Sequence, residues 1–334
     1  MAKSKASTKT EFSDVRTVGI PRAFLYYRYG VMWKSFFEAL DREVILTRPS
    51  DFEIFQKGDS LSVDECCLAS KLFLGHVQDL LGRCDAIFVP CIDNMGRRHN
   101  FCTKFQALPD LTRNTFYREN IRVMSLLIDK QVSHTKPEER FIDLAERMGA
   151  GPKQARKAYK TALKAQQAYN ASRTKEQEKR LEAILKQPKE KRPLAILFAG
   201  HPYVLHDPYI GSTVVDFLSH LGAEVLFSNF VNQEDAQKRA RDFSKTLPWV
   251  INQEIIGSIA LLEDKVDGII LASAFPCGPD SMTNDAITTV FSGKPILTLT
   301  VDGMSGTAGL ETRIESFIDI LNYQRKGGYL HAAH

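Results

Sequence analysis

No apolar run in the 334 residues is long enough to cross a bilayer, which excludes a membrane-spanning helix as the organising element. The start, MAKSKASTKT, carries lysines but no apolar stretch behind them, so it does not read as a secretory signal. We read residues 1–14 as a frayed, disordered tail and expect a cytoplasmic location. Charge of one sign is not in excess. The balance of 44 Lys+Arg against 40 Asp+Glu leaves +4, too little to argue for nucleic acid. The six cysteines, Cys66, Cys67, Cys84, Cys91, Cys102 and Cys277, include no C-x-x-C pair. Without an export signal a disulfide scaffold is not expected. The closely spaced ligand pairs usual for structural zinc are missing too. Metal binding and simple burial as small hydrophobes both stay open for these thiols.

What the chain does have is a duplicated pattern. The first half reads Val18-Gly19-Ile20-Pro21, an aromatic run, the helix-like MWKSFFEAL, then Glu43-Val44-Ile45-Leu46. The second half reads Ala199-Gly200-His201-Pro202, another aromatic run, VVDFLSHLG, then Glu224-Val225-Leu226-Phe227. Further on, each half runs an apolar strand into Pro-Cys: DAIFVP before Cys91, and DGIILASAFP before Cys277. Strand-like runs are expected at VRTVGI, EVILT, DAIFVP and IRVMSLLI, and again at LAILFAG, EVLFS, DGIILAS and PILTLTV. Amphipathic segments such as CLASKLFLGHVQDLL lie between them. Strands alternating with helices predict parallel sheets with right-handed crossovers.

The expected fold is therefore α/β, with two Rossmann- or flavodoxin-like lobes of parallel sheet joined by a helical connector. The boundaries are 15–135 for the first lobe, 136–190 for the connector and 191–330 for the second lobe. The connector is rich in Ala, Lys, Gln, Glu and Arg, and Gly149-Ala150-Gly151-Pro152 supplies a helix stop and a new start. Open α/β sheets bind ligands at the carboxyl ends of their strands, so the duplication predicts a cysteine-lined site between the lobes.

Cys67 is expected to open a helix, where the dipole favours thiolate. Cys91 and Cys277 each follow a strand and a proline, and Cys102 lies in the loop beyond Cys91. Gly278 would let a ligand approach the backbone closely, and Pro279 and Asp280 suit the first turn of the next helix. Cys84 reads as buried packing between helix and strand, and Cys66 cannot easily share the orientation of Cys67. Catalytic residues are not legible; the weak candidates are His201, Arg22 and Ser281. For His201 and His206, proton transfer or substrate contact stands against plain loop hydrogen bonding. Arg22 suits a phosphate or carboxylate, or an ordinary surface ion pair. Asp280 and Ser281 suit helix capping as well as a ligand.

At these residues a family resemblance enters. GIPRAFLYYRYGVMWKSFFEALDREVIL, DECCLASKLFLGHVQDLL, DAIFVPCI, FCTKF, AGHPYVLHDPYIG, FPCGPDS and GTAGLETRIESFID occur in one order. They resemble the cluster subunits of the 2-hydroxyacyl-CoA dehydratases and, more closely, the activase-related proteins grouped with the CoA-substrate-specific enzyme activases. The resemblance implies an iron–sulfur cluster of four irons or more, held by Cys67, Cys102 and Cys277 with Gly278 beside it. Some relatives also have cysteine at the place of Cys91, which makes it a fourth candidate. Thr103 departs from the proline that relatives often carry after the cysteine, without removing a ligand. It further implies low-potential electron transfer or radical dehydration of an acyl-CoA, an anaerobic setting, and a separate ATP-dependent activase. A related second subunit or a homodimer is implied as partner. No phosphate loop is present here: VDGMSGTAGLE lacks the lysine of a P-loop. A non-catalytic redox carrier, a maturation protein or a two-lobed small-molecule binder is the alternative.

Overall fold

The structure, a computed structural model, describes residues 10–132, 134–303 and 307–327. Most of the expected amino-terminal tail and the last seven residues lie outside the described residues. The chain divides into two compact units, Met1–Tyr169 and Asn170–His334.

The first unit contains β1 (Thr17–Ile20), β2 (Glu43–Leu46), β3 (Ala86–Phe88), β4 (Cys91–Asn94), β5 (Val123–Met124) and β6 (Leu127–Asp129). Four of these form a parallel sheet in the order β2-β1-β3-β5. The other two, β4 and β6, form a separate parallel pair that the sequence pattern does not reveal. Its helices are α1 (Tyr26–Glu38), α2 (Phe52–Asp59), α3 (Leu68–Leu80), α4 (Thr103–Thr115) and α5 (Pro137–Arg147). The long α6 (Pro152–Leu185) begins in this unit and ends in the next. Gly149, at φ +88, and Pro152 separate α5 from α6, as a glycine stop and a proline start should.

Buried aromatics fill this unit. Phe36, Phe37 and Phe88 are almost fully enclosed, and Phe24 packs on Phe73 and Phe105. Helix α3 is buried nearly all round. It crosses α2 so closely that a Cβ on Gly58 would lie 1.7 Å from the Lys71 carbonyl oxygen, and one on Gly75 would lie 2.0 Å from that of Ile54. Only glycine permits that approach, and it fixes where α3 begins.

The second unit contains β7 (Ala195–Gly200), β8 (Glu224–Phe227), β9 (Gly268–Ala274) and β10 (Ile296–Val301), parallel in the order β10-β9-β7-β8. Every residue of β7 and β9 is buried, as central strands covered on both faces require. Its remaining helices are α7 (Pro202–His206), α8 (Ser212–His220), α9 (Gln233–Phe243), α10 (Val250–Leu262), α11 (Gly278–Val290) and α12 (Thr307–Arg325). No described helix is long and apolar enough to cross a membrane.

In both units the main sheet has the order second-first-third-fourth, the flavodoxin-like arrangement, so the duplication seen in the residues is also one of topology. A further repeat confirms the register. Asp85, just before β3, accepts the backbone N–H groups of Arg16 and Thr17 at 2.8 Å each. Asp267, just before β9, accepts that of Ala195 at 2.8 Å. Each carboxylate ties the start of the third strand to the start of the first. The opposite, carboxyl ends of those two strands form the switch point, where the sheet order reverses and ligands are expected.

Candidate metal-binding sites at helix starts

Cys67 and Cys102 occupy equivalent local positions. Each is the N-cap of a thirteen-residue helix, α3 or α4, with extended backbone (φ −63, ψ 148 and φ −60, ψ 142). Neither side chain caps its own helix by a hydrogen bond. Thr103 then falls at the first helical position, the one proline favours, which explains why threonine here leaves the cap unchanged. Both thiols are half-buried.

The first unit brings Cys67, Cys102 and Cys66 into one electrostatic neighbourhood. Burial pushes the Cys67 thiol up, against the nearby Ser70 backbone amide and Lys104 ammonium. Cys102 and Cys66 push it further up. The expectation that a helix start would favour thiolate at Cys67 is thus corrected: burial and neighbouring sulfurs outweigh the dipole. Lys104 Nζ stands 3.6 Å from Cys66 Sγ, so Cys66 belongs to this neighbourhood instead of being plain packing. The adjacent Cys66-Cys67 pair was the available signal.

Cys91 is placed differently. It starts β4, and its thiol donates to the Gln106 carbonyl at 3.0 Å. Burial and the carboxylates of Asp93, Asp110 and Asp129 push it up to about 11. Cys84 is packing, as expected: its sulfur fills the space above Gly19, where a Cβ would come within 2.5 Å of it. Arg22 lies past the end of β1 with its guanidinium over Tyr26, 5.9 Å from the ring centroid. Among the described residues no carboxylate pairs with it, and its Nε is buried without a hydrogen-bond partner. The surface ion pair open at the sequence level is therefore not what Arg22 makes.

In the second unit His201 and Cys277 stand just beyond the carboxyl ends of β7 and β9, on either side of the switch point. They are the N-caps of α7 and α11. His201 Nε2 lies 2.8 Å from Asp280 Oδ1. Asn252 donates to the same oxygen at 2.9 Å and to Thr283 Oγ1 at 2.9 Å. Burial pushes the Asp280 carboxyl up, but His201, Asn252 and Cys277 more than offset it and hold it below the usual carboxylate range. Asp280 Oδ1 thus accepts hydrogen bonds from Asn252 and, with the ring proton on Nε2, from His201. His201, Asp280 and Asn252 are 3%, 2% and 2% exposed. Even so, among the described residues His201 Nδ1, Asp280 Oδ2 and Asn252 Oδ1 are buried without hydrogen-bond partners. Ligand atoms from His201, Cys277 and Asp280 all lie within 4.8 Å of one another.

Asp280 thus does not cap its helix, one of the two readings open for it. It holds His201, whose partner the sequence did not identify. Ser281 Oγ turns back to the Gly278 carbonyl at 2.8 Å. A Cβ on Gly278 would meet nothing within 4 Å, so glycine is not needed there for close contact with this chain. Both residues line a cleft of about 560 Å³ with Cys277, Ser273, Thr298 and Thr300. His206 is a packed residue, bonded to Asn229 Oδ1 at 2.9 Å and stacked on Phe230.

Two flavodoxin-like units with thiols at helix starts and a buried His–Asp pair beside one of them define an α/β protein with candidate metal ligands at strand ends. The chain belongs to the family described as the CoA enzyme activase uncharacterised domain, whose model matches residues 17–231, more than half of its length. No curated protein matches the chain. Among solved structures it is similar to a manganese-bound variant of a periplasmic metal binding protein from Candidatus Liberibacter asiaticus, at 12% identity over 92% of this chain and 98% of that one, with a TM-score of 0.24. The periplasmic zinc binding protein TroA from Treponema pallidum shares 12% identity over 93% of this chain and 98% of that one, with a TM-score of 0.23. Glucosamine-6-phosphate deaminase from Thermotoga maritima shares 8% identity over 92% and 84%, with a TM-score of 0.22. At these TM-scores the similarities carry no conclusion about what this chain binds.

Proposed function

We propose that this chain is the iron–sulfur partner of an ATP-dependent CoA-enzyme activase of the 2-hydroxyacyl-CoA dehydratase type. Cys67 and Cys102 are the iron ligands of the first unit and Cys277 is the iron contact of the second. The observation that carries the reading is the pairing of Cys67 and Cys102: two thiols on matching N-caps, within electrostatic reach of each other and of Lys104. The donor set fits an iron–sulfur group. Thiolates are its usual ligands, and iron binding would displace the thiol protons. Lys104 and the amide ends of α3 and α4 would balance the negative charge of thiolates and sulfide. A bound cluster would supply one-electron transfer at low potential. Cys91 ranks last among the candidates because its thiol is hydrogen-bonded and faces three carboxylates.

Iron and acid-labile sulfide, measured after purification without oxygen, test the reading. Both should be present, and iron should fall in Cys67→Ala, Cys102→Ala and Cys277→Ala; full iron in the Cys67→Ala protein would sink the ligand set. The cleft beside Cys277, walled by Ser273, Ser281, Thr298 and Thr300, favours a second element, a small polar substrate. Turnover of acyl-CoA thioesters with activase, ATP and reductant would assign a dehydratase role. Cluster reduction without turnover of any thioester would assign a carrier.

A further inference from the structure

Cys277 differs from the other two cysteines of the proposed set in its company. Around Cys67 and Cys102 the nearby groups are other thiols, a backbone amide and a lysine. Around Cys277 they are a ring nitrogen and a carboxylate, each almost wholly buried. Three donor types, nitrogen, sulfur and oxygen, come from three places in the chain: the end of β7, the end of β9 and the first turn of α11.

Their ligand atoms converge: one each from His201, Cys277 and Asp280 lie within 4.8 Å of one another, with His201 Nε2 only 2.8 Å from Asp280 Oδ1. A cation in place of the proton between those two atoms would take a lone pair from each. Among the described residues Asp280 Oδ2 is also buried without a hydrogen-bond partner. Native structures rarely leave a buried carboxylate oxygen without a partner. A ring nitrogen, a thiol and a carboxylate with an unused oxygen, converging out of water, form a donor set for a cation. Asn252, bonded to both Asp280 and Thr283, holds the carboxylate in one orientation, as an outer-shell partner of a metal ligand does.

We propose that His201, Cys277 and Asp280 form a binding site for a single divalent transition-metal ion, zinc or iron(II). The mixed nitrogen, sulfur and oxygen set suits such ions and disfavours magnesium and calcium, which take oxygen ligands. Three protein donors leave a tetrahedral ion with one position for an outside molecule. Cys277 lines the cleft of about 560 Å³, so that position is accessible to a small ligand held by the hydroxyls of Ser273, Thr298 and Thr300. The inference rests on the proposed function in one respect, that Cys277 contacts metal. It adds that the contact is made with His201 and Asp280 and needs no sulfide.

The test uses the full chain, reduced and oxygen-free, with Cys67→Ser and Cys102→Ser in place so that the first unit's thiols do not compete. Cobalt(II) is titrated in, and the thiolate-to-cobalt charge-transfer absorption is followed. One cobalt ion per chain should bind and be displaced by zinc. Cys277→Ser should abolish the band. His201→Ala and Asp280→Asn should each weaken binding by at least about 10-fold, and Asn252→Ala by about 10-fold. Absence of a Cys277-dependent band, or affinity unchanged by both His201→Ala and Asp280→Asn, overturns the proposal. Should His201→Ala fail to fold, the near-isosteric Asp280→Asn decides alone. Iron and sulfide reconstitution of the unsubstituted chain separates the two readings. Failure to retain sulfide with cobalt binding intact overturns only the cluster, and the reverse overturns only this site.

Discussion

The two units have the same sheet order, yet equivalent positions in them do different chemistry. Past the third strand stands Cys91 in one unit and Cys277 in the other. Cys91 starts another strand, β4, and its thiol donates a hydrogen bond to the Gln106 carbonyl near three aspartates. Cys277 starts a helix and sits with a histidine and a carboxylate. Past the first strand, Arg22 in the first unit occupies the position that His201 has in the second. In the first unit the paired thiols lie elsewhere, at the starts of α3 and α4. Topology fixes where a side chain is presented, and the element that follows decides which groups surround a thiol.

The same comparison runs along the opposite edge. Asp85 and Asp267 make the same tie to the first strand, but Asp85 is exposed and Asp267 is not. Arg192 and Arg325 close on Asp267 at 2.9 and 3.4 Å, with side-chain exposures of 9%, 12% and 10% for the three. Asp267→Ala leaves two arginines nearly buried without their anion and should cost the second unit about 3–5 kcal/mol. Asp85→Ala should cost the first unit clearly less. Urea unfolding followed by probes in each unit checks this; equal losses would break the comparison. Gly75→Ala is expected to come next, at about 1–3 kcal/mol, because the added methyl meets the backbone of α2 and not a movable side chain. A thermal melt reads it, and an unchanged midpoint would contradict the close crossing.

The third prediction concerns pH, and here the units should behave alike. Burial pushes His76 down to about 3, with Arg22 and Arg48 adding to it, and burial pushes His206 down to about 4. Unfolded histidine titrates near 6.5. Between 6.5 and those values the unfolded chain binds protons that the folded chain refuses, so stability rises with pH across that window. It is fully present above about 6.5 and is lost as pH falls toward 4 and then 3. Urea midpoints at pH 7 and 4.5 should differ, and replacing both histidines by glutamine should shrink the difference. The smallest expected effect is that of Cys91→Ser, which should leave metal content unchanged while Cys277→Ser lowers it. Equal losses would make the two positions equivalent after all.

Much of this was legible in the residues. The eight main-sheet strands are short apolar runs between turn signals, and all eight appear where expected. The order of the two halves followed from their matching segments. The β4–β6 pair was missed because its strands are only four and three residues long, too short for a period of two to register. At the site, Cys102, read as a loop residue, proves to be the N-cap of α4, whereas Cys67 and Cys277 could be placed at helix starts from the residues after them. The His201–Asp280 bond could not, since 79 positions separate the two residues and each looked like a turn or cap residue on its own. The upward push on the Cys67 thiol was also hidden, because burial depends on packing that one segment does not encode.

The most direct measurement is the iron and acid-labile sulfide content of the anaerobically purified chain, compared with the Cys67→Ala, Cys102→Ala double variant and with Cys84→Ala as a control. The account predicts iron and sulfide in similar amounts in the parent and in Cys84→Ala, with sulfide lost from the double variant. A parent chain without sulfide, or a double variant that keeps all of it, would contradict the account.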